Sequence, residues 1–223
     1  MELEQQGIKY CECTRVTTAQ AGQQTFSNFD VVMVVNCQRP GEQLWESLRN
    51  FANAGGGVFV VAGSNRIDLN AWMTNAARDL LPGTPLQFVN FNTAPGNLKL
   101  VTDQHPVTRE FAEDDSARVE LSRAAFDRCR AIDPDPSAIT LLGFTGPGDR
   151  PALLERTVGQ GRCLMFTSAM DNLQDGGSQW NNFVVDNWAF LMLTDKILQY
   201  LTGASGAKRN YVAGQTIVIP VPA

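Results

Sequence analysis

The chain has 223 residues, 43% of them apolar and 18% charged, with a formal net charge of −5. That length suits one domain with a sizeable core, and the acidic balance leaves no basic surface for nucleic-acid phosphates or anionic lipid. No run of about 18 apolar residues exists to span a bilayer, and Met1–Gln6 has neither the basic nor the apolar region of a signal peptide.

Ile8–Val16 alternates and is rich in β-formers, which predicts a strand. Residues 17–28 are polar and read as a loop. Phe29–Asn36 is a short, nearly continuous apolar run, the pattern of a central parallel strand buried on both faces. A helix follows from Pro40, with Leu44, Trp45, Leu48, Phe51 and Ala52 at helical spacing, and Gly55-Gly56-Gly57 ends it. Val58–Ala62 is the next buried strand. A second helix, capped by Asp68, carries Leu69, Trp72, Met73, Ala76 and Leu80 and stops at Pro82-Gly83. This alternation implies a parallel sheet with helices on its faces.

Residues 83–150 are less regular. Leu98–Val101 reads as a short strand, residues 111–117 as an acidic exposed segment, and Val119–Leu121 and Phe126–Ile132 as strands that could pair. Asp133-Pro134-Asp135-Pro136 is a turn. Three strands follow, Ala138–Phe144, Ala152–Val158 and Cys163–Ser168, joined through Gly146–Asp149 and Gly159–Gly161 as an antiparallel meander. A long helix over Phe183–Leu201 ends at Gly203. Residues 204–210 form a polar linker, and Tyr211–Val221 alternates again as an edge strand or the start of a further module.

The five cysteines are Cys11, Cys13, Cys37, Cys129 and Cys163. Cys11 and Cys13 share a face of the predicted strand but lack the Cys-x-x-Cys spacing of zinc or thioredoxin sites. They read as thiols acting as small apolar side chains, with a soft-metal Cys-x-Cys site as the alternative. No cofactor motif is present. Gly55-Gly56-Gly57 follows a helix and opens a strand, the reverse of a phosphate loop.

The run Ala54–Ser64, together with Leu80-Leu81-Pro82, His105-Pro106-Val107, Gly159-Gln160-Gly161-Arg162 and Gln199-Tyr200-Leu201-Thr202-Gly203, resembles the class I glutamine amidotransferase-like domain. In particular it resembles the one carried by bacterial BatA (aerotolerance-type) membrane proteins. The resemblance implies an α/β fold, a flavodoxin-like and amidotransferase-like three-layer sandwich with a mostly parallel central sheet and an antiparallel β extension. It assigns 1–203 to that domain and 204–223 to a linker and edge strand leading to a following module. That fold ordinarily opens with a strand and helix ahead of the strand placed at Ile8, so the sheet of this chain is expected to have an unprotected edge suited to pairing with another chain.

Active members of the family carry a cysteine on the strand-to-helix turn and a histidine and an acid after the late strand. Here the turn is Gly63-Ser64-Asn65, and the histidine position falls at Thr167-Ser168. The sole histidine, His105, lies in a different part of the fold, so the triad cannot be assembled. Ser64 as a nucleophile with His105 and Asp103 is the catalytic alternative, against Ser64 as a cap or turn residue and His105 as a packed loop residue. Asn36, Ser64, Asn65, Asp171 and Trp180 are expected to converge at the C-terminal ends of the strands, where open α/β sheets bind ligands. The expected function is a non-catalytic binding or scaffolding module of a larger membrane-anchored bacterial protein. It would contact protein partners or flanking domains on the extracytoplasmic side, without cofactor or metal, and could dimerise through its sheet edge. The alternatives are a divergent hydrolase or sugar-related enzyme using Ser64, and a small-molecule sensor without turnover.

Overall fold

A computed structural model describes residues 11–146, 148–171 and 179–203. The predicted edge strand and linker at 204–223 and residues 8–10 lie outside these. The described elements are α1 (Thr18–Ala21), β1 (Val31–Val35), α2 (Glu42–Asn53), β2 (Gly57–Val61), α3 (Leu69–Trp72) and α4 (Asn75–Leu80). β3 (Gly83–Asn90), β4 (Gly96–Leu100), α5 (Arg109–Glu113), α6 (Asp115–Arg123), β5 (Ala125–Phe126) and β6 (Arg128–Pro134) follow. The chain continues through β7 (Ile139–Phe144), β8 (Pro151–Val158), β9 (Gly161–Phe166), α7 (Phe183–Asp186) and α8 (Ala189–Leu201).

The α/β architecture is as expected. A mixed seven-stranded sheet runs β1-β2-β9-β8-β7-β4-β5, and β3 and β6 form a separate antiparallel pair. β1, β2 and β9 are parallel, and every pairing beyond β9 is antiparallel. Each face has its own core. On one, Leu44, Trp45, Leu48 and Ala52 of α2 pack on Val58, Val60, Cys163 and Met165. On the other, Leu193, Ile197 and Leu201 of α8 pack on Phe59, Val61, Leu164 and Phe166. β2 is buried at every position and β9 at all but Arg162, their side chains alternating between the two helical layers, which explains their apolar runs. No helix among the described residues is long and apolar enough to cross a membrane.

Several local expectations are overturned. Residues 11–16 are not a strand. All six are exposed and irregular, so their alternation has no buried face to serve. The predicted loop at 17–28 contains α1, fixed by a capping box in which Thr17 Oγ1 accepts from the Gln20 N–H and Gln20 Oε1 accepts from the Thr17 N–H. Among the described residues β1 is the edge of the sheet rather than a central strand, with Met33 43% and Val35 46% exposed. The helix predicted from Asp68 is two, because Thr74 caps α4 in mid-run. The 111–117 segment is not simply exposed: Phe111 and Ala117 are fully buried under α5 and α6, and Val119–Leu121 is helical. Phe126–Ile132 splits between β5, which pairs with β4, and β6, which pairs with β3. The final helix is broken at Asn187, whose Oδ1 accepts from the Ala189 N–H, and Trp188 beside the break is half exposed.

Candidate functional site

The C-terminal ends of β1, β2 and β9 meet at one edge of the sheet, and Asn36 ties them together. It leaves β1 with φ 48°, a left-handed conformation that Asn tolerates better than most residues. Its N–H donates to Val61 O (3.0 Å), its Oδ1 accepts from Gly63 N–H (3.1 Å), and its Nδ2 donates to Asp171 Oδ2. Asn36, the turn after β2 and the turn after β9 are thereby brought together as expected. Ser64 is buried on the β2 turn, where its Oγ accepts from the Arg66 N–H (3.2 Å). Asn65 is half-buried beside it. Trp180 is 1% exposed, its ring packed against Phe88 and Arg130, and so does not rim this edge.

Gly63 explains why the two turns can approach. A Cβ there would stand 2.1 Å from Ala169 N. Gly63→Ala is expected to force β2 and β9 apart at this end and cost ~2 kcal/mol, read as a melting temperature lower by about 4–8 °C for a domain of this size. A shift under about 1 °C would show that the contact is not tight.

The residue that sequence reasoning missed is Arg130, on β6 and 2% exposed. Its guanidinium donates to Leu86 O (3.1 Å), Ala62 O (3.5 Å) and Ser64 O, and lies 5.9 Å from the Trp180 ring centre. One fork thus clamps the two-stranded sheet onto the β2 turn. The available signal was an arginine alternating with apolar residues in Cys129-Arg130-Ala131-Ile132, on a strand that had to be buried.

Thr167 and Ser168, at the end of β9, carry hydroxyls that bond the backbone. Thr167 Oγ1 donates to Pro151 O and Ser168 Oγ to Arg128 O, each at 2.8 Å. His105 belongs to a different network. Its Nδ1 accepts from the Val107 N–H (3.2 Å), which leaves the proton on Nε2, 2.8 Å from Glu155 Oε2. The Tyr200 hydroxyl donates to Glu155 Oε1 (2.7 Å), and Arg162 lies over the Tyr200 ring. Burial alone would raise the Glu155 pKa, but hydrogen bonds from His105 and Tyr200 and the charge of Arg162 bring it below the usual carboxylate value. Burial, reinforced by the Glu155 carboxylate, pushes the Tyr200 phenol up to about 12. Glu155 pairs with Leu164 in mid-sheet, on the face covered by α8, whereas Ser64 lies beyond the end of β2. Ser64 and His105 therefore sit in separate hydrogen-bond networks, and Asp103 is exposed. Burial also raises the thiols of Cys37, Cys129 (to about 11) and Cys163, so none of these three is poised as a thiolate.

No family model matches the sequence, and no curated protein matches it. The fold does match solved structures. A cytoplasmic protein of Salmonella typhimurium is 17% identical, with 85% of this chain and 76% of that chain aligned at a TM-score of 0.59. A putative ThuA-like protein of Bacteroides uniformis is 13% identical over 84% of this chain and 75% of that one, at 0.54. A β-galactosidase of Bacillus circulans is 12% identical over 82% of this chain but 24% of its own, also at 0.54. At such identities the likeness is one of fold. The chain shares its α/β fold with these proteins, in which the matched part makes up most of two chains and about a quarter of the third.

Proposed function

We propose that this domain is a non-catalytic binding or scaffolding module that uses the strand-end edge around Asn36, Ser64, Asn65 and Asp171 as its contact site. The observation that carries the proposal is the chemistry at the two catalytic positions. Ser64 replaces the nucleophile, Thr167 and Ser168 hold the place of the base, and their side-chain oxygens are engaged by backbone groups. A hydroxyl without an adjacent base is a poor nucleophile at neutral pH, and the one imidazole is bound to Glu155 elsewhere. What remains is a polar edge pre-organised by Asn36, the usual ligand position in an open α/β sheet. Membership of a larger BatA-type, membrane-anchored and extracytoplasmic protein rests on the order of the sequence motifs. None of the three structures compared above is described as such a protein.

The test separates binding from turnover. Glutaminase, esterase and glycosidase assays on the wild type and Ser64→Ala are expected to give rates indistinguishable from buffer. A rate that Ser64→Ala reduces 100-fold or more, on the scale of a lost nucleophile, would replace this reading with the hydrolase. Binding is read by thermal shift with polar small molecules, where a ligand at about 100-fold over its Kd adds about 2.7 kcal/mol. That shift should vanish in Asp171→Ala.

A further inference from the structure

The edge of β1 is built to be covered. Asp30 O accepts from the Gly57 N–H and Asn36 N–H donates to Val61 O, so the even-numbered residues of this segment face their backbone groups toward β2. By the two-residue period of a strand, the N–H and C=O groups of Val31, Met33 and Val35 then point outward. No described strand pairs with them. The edge is also apolar, Val-Val-Met-Val-Val, with none of the charges or prolines that usually protect such a row. Two grooves lie along it. One, about 520 Å³, is lined by β1 itself with Val16 and Phe26. The other, about 380 Å³, lies at the start of β1 between Phe29, Asp30, Arg162 and Gly203.

The last described residues of the chain lie at that second groove. α8 ends at Leu201, against Gly57, and Gly203 lines the same groove as Asp30. The topology then sets the direction. The unit β1–α2–β2 steps inward along the sheet with its helix on one face. α8 leaves β9 on the opposite face. A crossover of the same hand, which parallel connections almost always share, therefore steps outward from β9, past β2, to the far side of β1. The sequence supplies a matching segment: Tyr211–Ile219 (Tyr-Val-Ala-Gly-Gln-Thr-Ile-Val-Ile) is β-prone, and Pro220 follows it. Residues 204–210 can reach about 23 Å when extended, more than enough to turn from Gly203 into the neighbouring lane.

We propose that residues 211–219 dock on β1 as an eighth strand, parallel to it, and close the right-handed β9–α8 crossover. The segment belongs to the domain rather than to a following module, and it covers the edge that would otherwise pair with a second copy. The proposal is independent of the site at the strand ends.

Hydrogen exchange on the full chain tests it, at two protein concentrations, in the wild type and in the double variant Thr216→Pro, Ile217→Pro. Adjacent residues alternate in direction, so one of the two prolines must remove a donor facing β1. Expected are outward amides of Val31, Met33 and Val35 that exchange roughly 100-fold slower in the wild type than in the variant, at both concentrations. β9 amides should be equally protected in both proteins, showing that the fold survives. Rapid exchange of the three amides in the wild type overturns the proposal. So does slow exchange unchanged by the prolines. In that case a dependence on concentration, with a dimer mass by light scattering, assigns the edge to a second copy, and independence assigns it to another segment of the chain.

Discussion

Arg130→Met is expected to destabilise the domain by about 3–5 kcal/mol, among the largest effects of any single side chain here. Methionine keeps most of the buried volume, so the loss is that of the fork. Ala62 O and Ser64 O would be left in the interior, and Leu86 O part-buried on β3, without the guanidinium that donates to them. Each orphaned buried acceptor costs about 1–3 kcal/mol. Arg130→Lys should recover only part, since one ammonium cannot span three carbonyls in the geometry of a planar fork. A denaturant midpoint series with unchanged slope checks this, and a Met variant within 1 kcal/mol of the wild type would remove Arg130 from the account. The effect should also be local: the Asn36–Gly63–Asp171 arrangement stands on the turn that Arg130 holds, so ligand binding at that edge should weaken in step.

Glu155→Ala is expected to cost about 2–3 kcal/mol, since the His105 Nε2–H and the Tyr200 hydroxyl lose the acceptor beside them. Glu155 and His105 are each under a tenth exposed, His105 Nε2 lies 2.8 Å from one carboxylate oxygen, and the other accepts from the Tyr200 hydroxyl. The pair also sets a pH window. The folded pKa of Glu155 lies below its ordinary value, so its contribution is fully present above about pH 4.5 and is lost as the pH falls through the folded pKa. Wild-type stability should therefore fall on acidification below that point, and the Glu155→Ala curve should be flatter there. A variant with the same acid slope as the wild type would show that other carboxylates govern the transition.

These two residues mark the limit of what the sequence disclosed. β2, β7, β8 and β9 were legible because their apolar runs are bounded by glycine turns. Ser64, Asn36 and Asp171 could be placed at one edge because parallel strands bring their C-terminal ends together by topology. Partners were not legible. Nothing in Cys129-Arg130-Ala131 says that the guanidinium reaches carbonyls on two other segments, and nothing near His105 points to Glu155 or Tyr200, 50 and 95 positions away. Composition alone did not place β1: an edge strand and a central strand can share Val-Val-Met-Val-Val, and among the described strands only the sheet order puts it at the edge. α6 was read as a strand because three residues, Val119–Leu121, are too few to show a helical period.

The sheet order has a consequence for synthesis. β9 lies between β2 and β8, although it follows β2 by about a hundred residues. Until it emerges, the inner edge of Gly57–Val61 has no partner, and at about 5–20 residues per second that interval lasts on the order of 5–20 s. The first two parallel strands and their helix cannot complete a core alone. Folding of the nascent chain has to wait for its last third, and during that wait the Val-Phe-Val-Val strand is the segment most in need of a chaperone.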